Sequence, residues 1–215
     1  MDNFSLIVRP FHLADRPQLR KINYETSFLE SPHDFIDDDE LVADALTVYF
    51  TDYEPESCFV AVQENKVIGY LTGAKNAAIM NRIALSKIYP SVLMKSLGSP
   101  SLWHSKSWKF VWGCFKSLVK GELIRPDFSK NYPAVFHINI EKGFRARGVG
   151  RKLMETYLKY LQGNKIAGVH CGTLSKEAKE FFEKLGFKVL LECPRFYNPP
   201  SVREKGSCYI LGKTL

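Results

Sequence analysis

The segment that most constrains the fold is a stretch rich in glycine and arginine, FRARGVGRKL, at residues 144–153. It joins an apolar run, AVFHINI, to METYLKYL, in which apolar residues recur at helical spacing. Gly148 and Gly150 therefore stand at the junction of a predicted strand and a predicted helix. Such a junction suits either an ordinary tight turn or an anion site made from the unpaired N–H groups of the helix start.

The charge and backbone freedom of this stretch favour the anion site. A helix start carries about half a positive charge, and glycine lets the backbone close around a phosphate. A P-loop is excluded, because GxxxxGK[ST] is absent. A Rossmann dinucleotide site needs a third glycine and, about twenty residues later, an acid, where this chain has His170. The predicted guest is a pyrophosphate held in another kind of site.

Periodic runs along the chain predict an α/β fold with a mixed sheet and helices on both of its faces. The element order is β-α-α-β-β before residue 76 and β-α-β-α-β-β after residue 130. CFVAV and VIGYLTG form a predicted hairpin. Residues 76–130 hold helical patches interrupted at Pro90 and at later glycines and prolines, and we interpret them as an insertion. Residues 1–215 are predicted to form a single domain.

Composition narrows the setting of the protein. Of its 215 residues, 45% are hydrophobic and 13% aromatic, which is typical of a globular protein. No apolar run approaches the roughly 18 residues that a membrane span needs, and the start lacks a signal-peptide pattern, so we expect a cytoplasmic location. Five cysteines without a CxxC pair predict reduced thiols and no metal site.

Charge is unevenly distributed along the chain. Residues 22–65 contain twelve acids and no Lys or Arg, whereas residues 75–130 contain ten Lys or Arg and two acids. The basic segment interleaves aromatic residues with lysines, which also suits nucleic acid or an anionic membrane surface. We favour a lid over the substrate site or a homodimer contact, and predict neither nucleic acid nor membrane as a partner. The remaining alternative is two solvated faces.

Two motifs carry a resemblance to a known family. The R-x-x-G-x-G pattern at 145–150 resembles motif A of the GNAT superfamily of acyl-CoA N-acyltransferases, and AKEFFEKLGF at 178–187 resembles its A-x-x-F-Y-x-K-x-G-F helix. HINI with GVHCG is similar to the acetyltransferase-like domain of O-GlcNAc hydrolases. The resemblance implies a GNAT-like fold with splayed central strands and an insertion at about 76–130. It also implies transfer of an acetyl group from acetyl-CoA directly to an amine.

The resemblance assigns residues to the cofactor. The pantetheine arm would pair with the fourth strand, and the amides of the glycine turn would hold the pyrophosphate. Ser175 stands where the family often has Asn, Phe182 where it often has a Tyr general acid, and Ala134 where some members have a glutamate base. The implied cofactor residues are Ile138, Asn139, Ile140, Arg145, Ala146, Arg147, Gly148, Val149, Gly150, Ser175 and Phe182.

Two histidines are the candidates for proton transfer. An amine with a pKa of about 10.4 must lose a proton before it attacks, and histidine is suited to accept one. His137 on the fourth strand and His170 on the fifth could flank the cleft. The alternative is that each is a hydrogen-bonded structural residue. Phe182 cannot donate a proton, although a thiolate with a pKa of about 8.5 hardly needs a general acid at neutral pH.

The acceptor is predicted from charge. The resemblance places the first two helices on the acceptor side of the cleft, and residues 22–50 hold eight of the twelve acids. Glu30 and Asp34 are the predicted contacts for a small cationic amine. A degenerate module that binds CoA or a partner without catalysis is the alternative, because Phe182, Ser175 and Ala134 depart from the family pattern.

Overall fold

A computed structural model describes residues 6–27, 38–97, 112, 126–194 and 207–215. Its seven strands form one sheet in the order β1-β2-β3-β4-β5-β7-β6. Neighbouring strands are antiparallel except β4 and β5, which are parallel. The predicted mixed sheet is confirmed. The strands are β1 Ile7–Pro10, β2 Phe59–Gln63, β3 Lys66–Ala74, β4 Ala134–Ile140, β5 Gly168–Thr173, β6 Lys188–Pro194 and β7 Ser207–Thr214.

Helices cover both faces of the sheet, as the sequence predicts. On one face, α5 and α6 bury Leu153, Tyr157 and Phe182 against β4 and β5. On the other, α1 buries Leu19 and Ile22 against β2 and β3. Each large side chain buried in this way stabilises the fold by about 1.5–3 kcal/mol. The helices are α1 Arg16–Ser27, α2 Asp39–Val48, α3 Ala77–Ile83, α4 Tyr89–Leu97, α5 Val149–Gly163 and α6 Lys176–Lys184.

The central strands separate along their length. Parallel pairing between β4 and β5 is limited to Ala134 with Val169 and Val135 with His170. On its other side β4 remains paired with β3 as far as Ile140. The carboxyl-terminal half of β4 therefore has a partner strand on one side only. The predicted splaying of the central strands is confirmed.

The inserted segment differs from its prediction at Pro90. Pro90 was expected to interrupt a helix, but the helical run continues from residue 77 to residue 97. A π-helical turn, Ala84–Ile88, immediately precedes α4, so the irregularity of this run lies just before Pro90, whose ring and missing N–H do not suit a regular α-helix. The predicted breaks at Gly98, Pro100 and Gly121 and the residues Trp103 and Trp108 lie outside the described residues.

Candidate functional site

The open half of β4 presents backbone groups to the gap. The N–H of Glu141 donates to the carbonyl of Ile68 on β3, at 2.9 Å. Because the backbone groups of a strand alternate between its two sides, Asn139 and His137 also pair with β3, while Ile138 and Ile140 face the gap. The Nε of Arg145 reaches the carbonyl of Ile140 at 3.1 Å, which agrees with this direction. An extended ligand lying in the gap could pair with this strand.

The glycine turn ends the gap beside the start of α5. Ala146 and Gly148 have φ angles of 59° and 82°, so the turn curls and its N–H groups line a concavity of the kind that binds anions. Lys152 is the first residue of α5 whose N–H donates into the helix, to the carbonyl of Gly148 at 3.1 Å. The three preceding amides of α5 therefore have no intrahelical acceptor. The turn provides the donors that a phosphate requires.

The space around Gly148 and the contacts of the arginine side chains show which groups line this turn. A Cβ on Gly148 would meet no atom within 4 Å, so its positive φ, rather than crowding, requires glycine. Arg145 bonds the Ile140 carbonyl, and the Arg147 guanidinium lies 5.6 Å from the ring of Phe144. Two of the three arginine side chains thus contact the protein. Backbone amides, more than side chains, define the predicted phosphate site.

The helix start packs closely on its neighbours at Gly150. A Cβ there would lie 3.1 Å from Cδ1 of Ile140 and 3.3 Å from Cζ of Phe181. Phe181 is a half-buried residue at this contact. Phe182, in contrast, is 4% exposed, and its ring lies 5.5 Å from those of Phe136 and Phe187. The side chain at 182 therefore belongs to the core beneath β4.

Ser175 is engaged in capping α6. Its Oγ accepts a hydrogen bond from the N–H of Ala178 at 3.2 Å and donates to the Glu177 carboxylate at 2.5 Å. This is the N-cap that the sequence predicts. The two bonds account for both the donor and an acceptor site of the hydroxyl. The side-chain geometry of Ser175 thus has a structural explanation.

His137 lies on the α1 face of β4, and its side chain is accessible to solvent. Phe50 contacts it edge to face, with ring centroids 5.6 Å apart. Desolvation lowers the pKa of His137 below its ordinary value of 6.5. The imidazole is therefore neutral at pH 7 and has a nitrogen able to accept a proton.

His170 occupies a different environment. Its Nδ1 lies 2.7 Å from the carbonyl oxygen of Tyr132. A carbonyl only accepts, so Nδ1 carries the hydrogen of this bond. His170 is paired with Val135, where β4 and β5 are still joined, whereas His137 lies two residues further towards the open end. The structure therefore places His170 at the closed end of the gap and His137 nearer to its opening.

The acidic segment is partly neutralised by cations from outside it. Asp44 bonds Arg20 at 2.8 Å and Lys95 at 2.6 Å, and Glu40 also pairs with Arg20. Burial opposes ionisation of Asp44, but the bonds from Lys95 and Arg20 outweigh it and lower the pKa of this carboxyl. These side chains line an open pocket of about 600 Å³ in which the charges satisfy one another. Glu30 and Asp34 lie outside the described residues.

In the described part of the chain, no group of three or more His, Cys, Asp or Glu side chains could hold a metal ion. Of the helices seen there, none combines the length and the apolar character that a membrane span requires.

Comparison with family models identifies the class of protein. A model described as the Acetyltransferase (GNAT) family matches residues 18–187, which is most of the chain. The chain therefore belongs to the GNAT acetyltransferase family, and it is an acyltransferase. Members of this family in general use acetyl-CoA as the acyl donor and an amine as the acceptor. No curated protein sequence matches the chain significantly.

Solved structures agree with this fold. A crystal structure of SsHAT has a TM-score of 0.73 and 24% identity, and the match covers 98% of each chain. The polyamine N-acetyltransferase of Drosophila melanogaster has a TM-score of 0.61 and 15% identity, covering 98% of this chain and 100% of that one. The ribosomal-protein-alanine N-acetyltransferase of Brucella melitensis has a TM-score of 0.59 and 15% identity, and the match covers 98% of this chain and 100% of that one. At these identities the likeness extends to the fold, and the likeness to O-GlcNAc hydrolases stays a prediction.

Proposed function

We propose that the protein transfers an acetyl group from acetyl-CoA directly to a small cationic amine. The observation that carries this proposal is the open edge of β4 beside the amide-lined start of α5. The pantetheine arm pairs with the backbone of Ile138 and Ile140. The pyrophosphate binds the amides of residues 145–150. An N–H at the end of β4 faces the thioester oxygen as that oxygen becomes an oxyanion.

The chemistry proceeds by direct attack. The amine nitrogen forms a bond to the thioester carbon, and the C–S bond breaks to release CoA as a thiolate. His137 takes the proton that the amine loses, directly or through one water. The buried phenyl ring of Phe182 donates nothing to the leaving group. A thiolate with a pKa of about 8.5 leaves at neutral pH without a general acid.

A cationic acceptor is supported by charge and by neutral acceptor atoms. Residues 28–37 contribute Glu30, Asp34 and Asp37 to the acidic segment and no Lys or Arg. His137 is neutral at pH 7, so this side chain does not repel an ammonium group. One structural neighbour is named for polyamines, another for agmatine and another for a ribosomal-protein alanine. These names select the amines to be tested first.

A module that binds CoA without catalysis is the second candidate. It is favoured by the side chains at three positions: Phe182 is buried in the core, Ser175 is occupied as a helix cap, and Ala134 has no titratable group. Such a module would keep the phosphate turn and lack turnover. Binding and turnover must therefore be measured separately.

A coupled assay tests the proposal. Purified protein is mixed with acetyl-CoA and one of agmatine, spermidine, a lysine-containing peptide or a peptide with N-terminal alanine. A thiol reagent then reports free CoA, and mass spectrometry of the product confirms acetylation. We expect release that depends on agmatine or spermidine and exceeds release with either peptide. Binding of acetyl-CoA without release by any amine would favour the module, and a preference for a peptide would reject the small cationic acceptor.

A further inference from the structure

A buried polar chain links α1, β3 and β4. The hydroxyl of Tyr70, which is fully buried, lies 2.6 Å from Nδ2 of Asn23 and 2.6 Å from Nδ2 of Asn139. These groups come from residues up to 116 positions apart in the chain, and no motif connects them. The hydroxyl has two lone pairs and one hydrogen, so it accepts from Nδ2 of Asn139 and, with the Asn23 amide turned over, donates to Oδ1 of Asn23. Asn139 is thus held from behind by a rigid, buried partner.

The contribution of these hydrogen-bonded side chains to folding stability does not by itself explain why they are present. Asn23 is 4% exposed and Tyr70 is fully buried, so these polar side chains have lost their contact with water. Burying polar groups costs desolvation free energy, whereas apolar side chains of similar volume would fill the same space without that cost. Buried polar groups kept at such a cost are common at functional sites. The geometry points to a requirement for the orientation of Asn139.

The position of Asn139 indicates what that orientation serves. Side chains alternate along a strand, so Asn139 and His137 lie on the same face of β4, two residues apart. Both belong to the half of β4 that has no partner on the β5 side. Asn139 is half-buried, and with Nδ2 bonded to Tyr70 its Oδ1 is the remaining polar atom. A neutral imidazole and an amide oxygen therefore stand side by side as hydrogen-bond acceptors.

We propose that the Asn139 side chain binds and orients the acceptor amine, and that Tyr70 and Asn23 are positioning residues behind it. This inference rests on the proposed acetyltransferase function. The ammonium group first loses a proton to solvent; the neutral amine then attacks the thioester carbon through its lone pair, and its nitrogen carries a positive charge and two hydrogens. One proton passes to His137, and the other stays in the amide product. Oδ1 of Asn139 accepts the N–H that is kept, which directs the lone pair at the carbonyl and the other N–H at His137.

Three substitutions separate this role from a structural one. Asn139→Leu keeps the volume but removes the acceptor. Asn139→Asp keeps an oxygen acceptor and lets the Tyr70 hydroxyl donate to it. Tyr70→Phe leaves Asn139 in place but unheld. For each variant we would measure kcat and KM with agmatine, the pH profile of kcat/KM, the Kd of acetyl-CoA and the melting temperature.

The expected pattern is specific. Asn139→Leu should lower kcat/KM for agmatine at least tenfold, about the effect of one lost hydrogen bond, while the Kd of acetyl-CoA stays within twofold. Asn139→Asp should recover most of that loss and move the apparent pKa of the pH profile upward, because a carboxylate two residues away stabilises protonated His137. Tyr70→Phe should fall between the parent and Asn139→Leu.

The opposite pattern would overturn the inference. If Asn139→Leu turns over agmatine within twofold of the parent, or if Asn139→Asp shows neither recovery nor a shifted profile, Asn139 does not contact the amine. Equal losses in acetyl-CoA affinity and turnover would assign the network to the scaffold. Absence of amine-dependent CoA release in the parent would instead reject the proposed acetyltransferase function, and this inference with it.

Discussion

His137 and His170 both lie on strands that the sequence predicts, but their surroundings in the structure differ. His170 is held in place by a hydrogen bond from its Nδ1 to the Tyr132 carbonyl. His137 has no hydrogen bond to its ring in the described residues, is open to solvent and is desolvated by its surroundings. The two residues are therefore natural partners in a matched experiment on proton transfer.

The pH dependence of turnover should distinguish the two histidines. Because the pKa of His137 lies below its ordinary value of 6.5, kcat/KM of the parent, calculated on the concentration of neutral amine, should rise with an apparent pKa under 6.5 and level off by neutral pH. His137→Gln should lower kcat/KM about 10²- to 10⁴-fold and remove this ionisation. His170→Gln is the control and should keep the profile. Identical profiles for all three proteins would assign the base to another group.

Folding stability should report the same ionisation. The folded pKa of His137 is depressed, so the unfolded chain binds the proton more readily. The stability that this residue contributes is present above pH 6.5 and is lost as the pH falls from 6.5 through the folded value. Denaturant midpoints of the parent should thus drop between pH 7 and pH 5 more steeply than those of His137→Gln. Parallel pH dependence would show that the folded pKa of His137 is unperturbed.

At the level of elements, α5, β4 and α6 come into close contact at Gly150. Gly150 brings the start of α5 against Ile140 and Phe181, where no side chain fits without movement. Gly150→Val should overpack this contact, destabilise the protein by about 1–3 kcal/mol and weaken acetyl-CoA binding. The measurements are a denaturant titration and a calorimetric Kd.

The other end of α5 provides the control. A Cβ on Gly163 would meet no atom within 4 Å, and its φ is not positive. Gly163→Ala should therefore leave acetyl-CoA binding unchanged and keep or raise stability, by up to about 1 kcal/mol. Similar effects of the two substitutions would refute a specific role of the Gly150 contact.

Elements whose hydrophobic residues recur at a regular spacing were predictable from the sequence. Features that depend on packing between elements were not. AVFHINI coincides with β4, and the glycine turn precedes α5 as expected, because alternation and capping act locally. Pro90 was misread, since the adjacent π-helical turn leaves no signature in composition. Phe181 and Phe182 are adjacent in one helix, and their division between gap and core is set by how α6 packs on β4.

For the whole molecule, charge distribution is the feature that bears on substrate entry. Several acids of the segment 22–65 are already paired, as Glu40 is with Arg20. Neutralising Glu30 and Asp34 together should raise KM for a cationic amine about two- to fivefold and flatten its dependence on salt, with acetyl-CoA binding unchanged. Glu40→Gln, which removes a paired acid, should change KM less. An amine KM insensitive to salt in the parent would reject electrostatic steering.

The global arrangement limits what the sequence could reveal about the site. The mixed sheet and the separation of its central strands follow from the order of elements and from the resemblance, and both were predicted; the order of the strands in the sheet comes from the structure. The hydrogen bonds that join Asn23, Tyr70 and Asn139 could not be predicted from the sequence. They depend on the register between β3 and β4, in which Tyr70 pairs with Asn139, 69 positions away. Ion pairing of the acidic segment was missed for the same reason, since Arg20 and Lys95 are distant in sequence.

We propose that the glycine turn binds the pyrophosphate of acetyl-CoA. Calorimetric titration of acetyl-CoA into two variants at Gly148 measures this binding. Asn and Asp have nearly equal size, and both tolerate the left-handed backbone, which has φ of 82° at this position. They differ in a negative charge. We predict that Gly148→Asn binds acetyl-CoA at least tenfold more tightly than Gly148→Asp, while both variants unfold at similar temperatures. Equal dissociation constants for the two variants would contradict a phosphate site at this turn.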